Sequence, residues 1–298
     1  MKKILCYLLL LMPTLASAQS GPEAFAYVTA LQPPVWIFHK GERMALGASS
    51  PVLMDDALLT GPGGRAHLAL ADGSLLKLAE NTSLGIPYLQ LRRNGNKDVL
   101  TATLKLVHGT LRYTAQKESS SLSHDLDFEI GNAISAHVPN ADLWGRVGTS
   151  EDRLVLLDGK MTADSPKQPT VKLTQAGQAY VVPRNKPPRP VSLLSAQETQ
   201  TLMPSTELDS SYPALQSNGP YRLVLAIYND EAKAIERVKR YVQLGYPVEL
   251  HSSVKSANPR AYRLTLEGLV SAADASAYAR VLVEKLNLVN PRVEAPAP

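Results

Sequence analysis

The chain has 298 residues, of which 44% are hydrophobic and 19% charged, with a formal net charge of +4. That is the composition of a globular protein of about two domains. It excludes a strongly basic nucleic-acid binder, and so small a charge names no acidic partner.

Residues 1–18 read as a Sec signal peptide. Lys2-Lys3 is the basic start, Ile4 to Met12 the apolar run, and Ala16-Ser17-Ala18 the small-residue cleavage site. The apolar run falls short of the roughly 20 residues a spanning helix needs, so a cleaved leader is expected, with no membrane span after cleavage. Cys6, the single cysteine, lies in the leader, so the exported chain is expected to form no disulfide. The predicted location is periplasmic.

Glu23 to Pro183 is a series of short alternating runs. Ala66, Leu68 and Leu70 alternate with more polar neighbours, and Leu76 and Leu78 do so after Asp72-Gly73. Two such runs about an Asp-Gly pair predict a hairpin with a type I′ turn. Further strands are predicted over Phe25–Leu31, Pro34–His39, Ala102–Val107, Thr110–Thr114, Leu126–Ile130, Leu154–Leu157, Lys160–Ala163 and Gln178–Val182. Gly41, Gly73, Gly109, Gly159 and Gly177 fall between strands, each where a tight reversal is expected. Such spacing implies an all-β sandwich, roll or barrel.

Asp56, Thr60-Gly61, an alternating strand and Asp72-Gly73-Ser74 together resemble the core of the FecR domain. Leu104 to Leu111 and Leu154 to Met161 look like that family's strand–Gly–strand units, and Leu173 to Val182 like its closing strand pair. The resemblance implies a FecR-like β-domain over 24–183. Trp144-Gly145 stands where the family usually has Gly-Thr, so Asn140 to Asp152 reads as a loop particular to a subgroup.

Residues 184–219 read as a linker. Pro183, Pro187, Pro188 and Pro190 stiffen a basic start, and a polar stretch follows, a composition that favours an extended spacer. The alternative is a tail docked on the β-domain through Val191, Leu193 and Leu194.

After Pro220 the period changes. A strand from Tyr221 to Tyr228, a helix capped near Asn229 and ended at Gly245, two strands, a helix opened by Ser271 and a last strand near Val293 give the order βαββαβ. The predicted architecture is an α+β, ferredoxin-like module over 220–293. With Tyr262-Arg263-Leu264-Thr265-Leu266 before the second helix, it resembles a SPOR domain, a family whose modules bind denuded glycan strands of peptidoglycan on the sheet face away from the helices. That resemblance puts Arg263 on the glycan-binding face. Strand parity adds Thr265, with Arg222 and Tyr228 from the first strand. The competing reading of Arg263 is an arginine paired with Glu249 or Glu267. The family's first-strand Gln and Gly-Ser are replaced by Val224 and Ala226-Ile227.

The six histidines show no His-x-x-x-His or Glu-x-x-His spacing, so no metal site is expected. No Gly-x-Ser-x-Gly elbow occurs, Gly61-Pro62-Gly63-Gly64 lacks the end of a phosphate loop, and no cofactor is implied. The expected function is non-catalytic. In it the β-domain holds an unknown envelope protein and the SPOR-like module holds peptidoglycan. Two alternatives remain: a periplasmic signalling role, since FecR proteins regulate a sigma factor from the periplasm, and use of the C-terminal module for protein contact.

Overall fold

The computed structural model describes residues 24–94, 97–116, 122–253 and 261–295. The predicted leader, residues 1–18, lies outside these.

The strands between residues 26 and 216 form a single hydrogen-bonded network. In chain order they are β1 (Ala26–Gln32), β2 (Val35–His39), β3 (Glu42–Ala45), β4 (Pro51–Val52), β5 (Ala57–Thr60), β6 (Arg65–Leu70), β7 (Leu75–Leu78) and β8 (Ser83–Asn94). There follow β9 (Lys97–Thr114), β10 (Leu122–Ile130), β11 (Ile134–Val147), β12 (Glu151–Asp164), β13 (Val171–Leu173) and β14 (Gln178–Pro183). Two short strands, β15 (Ser192–Leu193) and β16 (Leu215–Gln216), pair with β14 and β1. Alternate residues fill a common core, among them Leu68, Leu76, Leu104, Leu111, Tyr113, Phe128 and Leu156.

The predicted β6–β7 hairpin forms, with Ala69 opposite Leu75. Its turn differs from the expected type I′. Only Gly73 has positive φ, at 88°, in the four-residue connection 71–74, which is closed by Gly73 N–H to Leu70 O. Asp72 supplies the reason. Its carboxylate accepts from Ser74 N–H at 3.0 Å and Ser74 Oγ–H at 2.8 Å, and the Tyr113 hydroxyl reaches Ser74 Oγ at 3.0 Å. Both Asp72 and Ser74 are buried, so the Asp-Gly-Ser signature is a polar knot beneath the turn.

Gly109 and Gly159 were expected at reversals but lie inside continuous strands. β9 changes neighbours at Gly109, pairing β8 and β10 before it and β7 and β11 after it. The residue has φ 91°, and a Cβ there would collide with Thr82, so glycine is what allows the strand to turn this corner. The predicted loop at Asn140–Asp152 is likewise corrected, because its first eight residues complete β11. Gly145 faces the core against Ile130, while neighbouring Trp144 projects from the other side.

Residues 184–219 are docked, not extended. Arg184 reaches Asp152, helix α1 (Ala196–Leu202) opens on a Ser195–Glu198 capping box, and a 3-10 turn follows over Met203–Thr206. Leu194 and Leu202 pack against Trp144, Val155 and Ala179. Trp144 Nε1–H donates to Ser205 Oγ at 3.2 Å. The Trp144 that departs from the FecR pattern is thus the seat of this segment.

The C-terminal module comprises β17 (Tyr221–Tyr228), α2 (Glu231–Gln243), β18 (Val248–Ser253), β19 (Ala261–Leu269), α3 (Ala272–Leu286) and β20 (Arg292–Glu294). Asp230, one residue beyond the expected Asn229, caps α2, and Gly245 follows its end with φ 82°. Ser271 caps α3. The strands form an antiparallel sheet in the order β18-β19-β17-β20. Ala234 and Tyr241 of α2 and Ala275, Tyr278 and Leu282 of α3 cover Leu223, Leu264 and Leu266. The module rests on the β-body where Val35 N–H donates to Gly245 O and Trp36 Nε1–H to Gln243 O, both at 3.2 Å. A Cβ at Gly245 would run into Pro34 and the Trp36 ring, so the contact depends on glycine there.

Candidate functional site

Strand register decides which side chains share the sheet face away from the helices. Across β19, Glu249 lies opposite Thr265 and His251 opposite Arg263. On the other side Arg222 lies opposite Glu267, Val224 opposite Thr265 and Ile227 opposite Arg263. β20 adds Glu294 opposite Arg222 and Arg292 opposite Val224. These residues form one face.

Arg263, Thr265 and Arg222 lie on it as expected, and Tyr228 does not. The register slips between Val224 and Ala226, leaving Leu225 as a bulge, and the strand beyond is turned over. Tyr228 therefore pairs with Tyr262 on the helix side, where its hydroxyl accepts from Arg237 Nε–H at 3.3 Å. The bulge is invisible to simple alternation.

The two arginines are engaged with carboxylates. Arg263 Nη1–H donates to Glu294 Oε1 at 3.0 Å, so its carboxylate comes from β20, not from Glu249 or Glu267. Arg222 stands 3.7 Å from Glu267 Oε1 and 4.0 Å from Glu294 Oε2. Thr265, between Val224 and Glu249 in register, is only 1% exposed, and its hydroxyl makes no hydrogen bond. At the β18 side, Glu249, His251 and Glu267 bring donor atoms within 4.8 Å of one another, a group that could hold a metal ion.

The β-body carries a second cation cluster. Arg65, His67, Lys77 and Arg112 project from β6, β7 and β9 toward the docked segment. Arg65 Nη1 donates to the carbonyls of Pro204, Ser205 and Glu207 at 3.2, 3.0 and 2.6 Å. Lys77 and Arg112 reach the Glu207 carboxylate at 2.6 and 3.2 Å. Burial opposes charge on Glu207, but the Lys77 ammonium, His67 and Arg112 outweigh it and hold the carboxyl below its ordinary range. Burial lowers His67, in part offset by the Thr206 carbonyl. Sequence reading missed this cluster because its members are joined only by the fold.

Two buried acidic residues of the β-body, Asp56 and Asp152, are held by internal partners. Asp56 accepts from Leu53 N–H at 2.8 Å and meets His39 Nδ1 at 2.6 Å. Asp152, with a fully buried side chain, is pushed up by burial and partly restored by Arg184 at 2.8 Å. An apolar cavity of about 470 Å³ opens beside His39 and Lys40, walled by Leu53, Met54, Leu89 and Leu100.

Residues 56–156 match the family model described as FecR protein. No curated protein matches the chain. Two crystal structures of a "putative anti-sigma factor" from Parabacteroides distasonis ATCC 8503 are similar to it at 9% and 10% identity. They cover 67% and 70% of this chain and 95% and 97% of their own, with a TM-score of 0.37 in each case. The match starts at the buried Asp56 and ends in β12, so it spans the Asp-Gly-Ser knot and the Gly109 corner. The chain carries a FecR domain over residues 56–156.

Proposed function

We propose that this is an exported, non-catalytic regulatory protein of the FecR kind, which acts by binding another envelope protein through its β-body. The FecR domain over 56–156 carries this reading. Export rests on the leader and its Ala16-Ser17-Ala18 site. A non-catalytic role is supported by the buried carboxylates Asp56, Asp72 and Asp152, which are spent on turns and an internal ion pair.

The peptidoglycan tether is the second reading. The βαββαβ order and the β18-β19-β17-β20 sheet favour a ferredoxin-like, SPOR-like module. Weighing against glycan binding, Arg263 and Arg222 already hold Glu294 and Glu267, and Tyr228 is on the helix side. A sugar would have to displace ion pairs. The module's contact with Trp36 also fits a role as part of the β-body.

Deleting the gene, restoring it in trans and profiling transcripts separates the two. The regulatory reading expects a confined set of transcripts to shift and return on complementation. An unchanged transcript profile, with mature protein sedimenting on amidase-treated sacculi, overturns it in favour of the tether.

A further inference from the structure

We propose that Glu249, His251 and Glu267 form a three-ligand site for a first-row divalent transition ion, with zinc as the probe. The site is independent of the regulatory reading.

The geometry comes from the sheet. Glu249 and His251 are two residues apart on β18 and so share a face, and Glu267 joins them from β19. His251 Nε2 stands 3.4 Å from Glu249 Oε2 and 3.6 Å from Glu267 Oε1. Ligand atoms about 2.0–2.2 Å from a zinc ion at tetrahedral angles stand about 3.3–3.6 Å from one another. Both donor pairs that include Nε2 therefore already stand at the edge length of a zinc tetrahedron, without a hydrogen bond to Nε2, and all three donors lie within 4.8 Å of one another. Had the imidazole been there to pair with a carboxylate, a distance nearer about 2.8 Å would be expected.

Three further observations point to an ion. Thr265, opposite Glu249 on the same face and 1% exposed, has a hydroxyl with no hydrogen bond. Glu249 and Glu267, though not His251, also line an adjoining small polar cavity of about 150 Å³ with Ser49, Gln216 and Ser217 of the β-body. Charge is also left over, since Arg263 is turned to Glu294 and, among the described residues, Glu249 has His251 as its ion-pair neighbour. Arg222, 3.7 Å from Glu267 Oε1, is placed to hold that ligand from outside. One imidazole and two carboxylates suit zinc or cobalt better than calcium or magnesium, which take oxygen ligands only.

Sequence spacing hid the site. Motif rules look for ligands on one helix, three or four residues apart. Here two ligands are two apart on a strand and the third is across the sheet.

The test is titration of the chelator-stripped mature protein with zinc against a chromophoric competitor, repeated with cobalt for its visible spectrum. We expect one saturable zinc, a tetrahedral cobalt spectrum, and no comparable response to calcium or magnesium. His251→Gln and Glu267→Gln should each weaken zinc by at least the roughly 10–100-fold that loss of a mere outer-sphere neighbour costs. His137→Gln, beside Asp125 and Asp127, should leave affinity unchanged. All three variants replace partly exposed side chains, and their circular dichroism should match the wild type. Zinc binding that never saturates at one equivalent, or that survives both His251→Gln and Glu267→Gln, overturns the proposal.

Discussion

Among the described residues, two cation clusters on sheet faces are neutralised in opposite ways. On the β-body, Arg65, Lys77 and Arg112 are met by a folded segment, with three carbonyls and one carboxylate delivered by the Met203–Glu207 turn. On the C-terminal sheet, Arg222 and Arg263 are met by glutamates of neighbouring strands, with side chains about a third exposed. The first arrangement fixes a stretch of backbone. The second fixes only side chains, which water can separate. A charge cluster that fastens chain to chain is structural, whereas one made of rim ion pairs can be exchanged for a ligand.

Removing Arg65 should have the largest effect. A hydrogen bond from a charged donor is worth about 1.5–3 kcal/mol, and Arg65 makes three from one nitrogen to a single turn. Arg65→Met keeps the aliphatic stem and should cost stability on that scale, about 1.5–3 kcal/mol by urea unfolding. It should also open residues 195–210 to proteases that leave the wild type uncut there. Wild-type cleavage in that stretch as fast as in Arg65→Met would mean the segment is not held.

Much of this was legible from alternation. The β6–β7 hairpin, most of the strand positions and the βαββαβ order follow from residues whose burial period the eye can count. What stayed hidden depends on distant or single-residue events. The Pro-rich composition of 184–190 suggested a spacer, yet Trp144, Arg65 and Gln32 supply a seat for the segment that follows. Gly109 reads the same whether it reverses a strand or carries it round a corner. The bulge at Leu225 moved Tyr228 to the opposite face, and His251 acquired its carboxylates from positions that no local motif relates.

Glu207 gives a smaller, pH-dependent effect. Its carboxyl titrates below its ordinary value of 4.5 in the folded chain. The contribution it makes is therefore complete above that value and fades as pH falls through the lower folded value. Amide exchange across residues 200–210, corrected for intrinsic rates, should accelerate in the wild type as pH drops below about 4.5. Glu207→Gln should exchange faster at neutral pH and show little of this dependence. A wild-type segment as protected at pH 3 as at pH 6 would remove the carboxylate from the account.

Arg263→Ala should have the smallest effect on the fold. Its ion pair with Glu294 joins side chains that are 34% and 36% exposed, and such pairs are worth about 0.2–1 kcal/mol. Substitution should shift the unfolding midpoint in urea by no more than that, and the circular dichroism should not change. The variant also separates the two readings of this face. If sugar is the ligand, Arg263 must leave Glu294 to donate to it, and alanine should cut sacculus binding by about ten- to a hundredfold. If the pair only tidies the rim of the sheet, sedimentation with sacculi should be the same for both proteins. A loss of several kcal/mol would contradict both, because it would show that Arg263 anchors β20 as firmly as Arg65 anchors the docked segment.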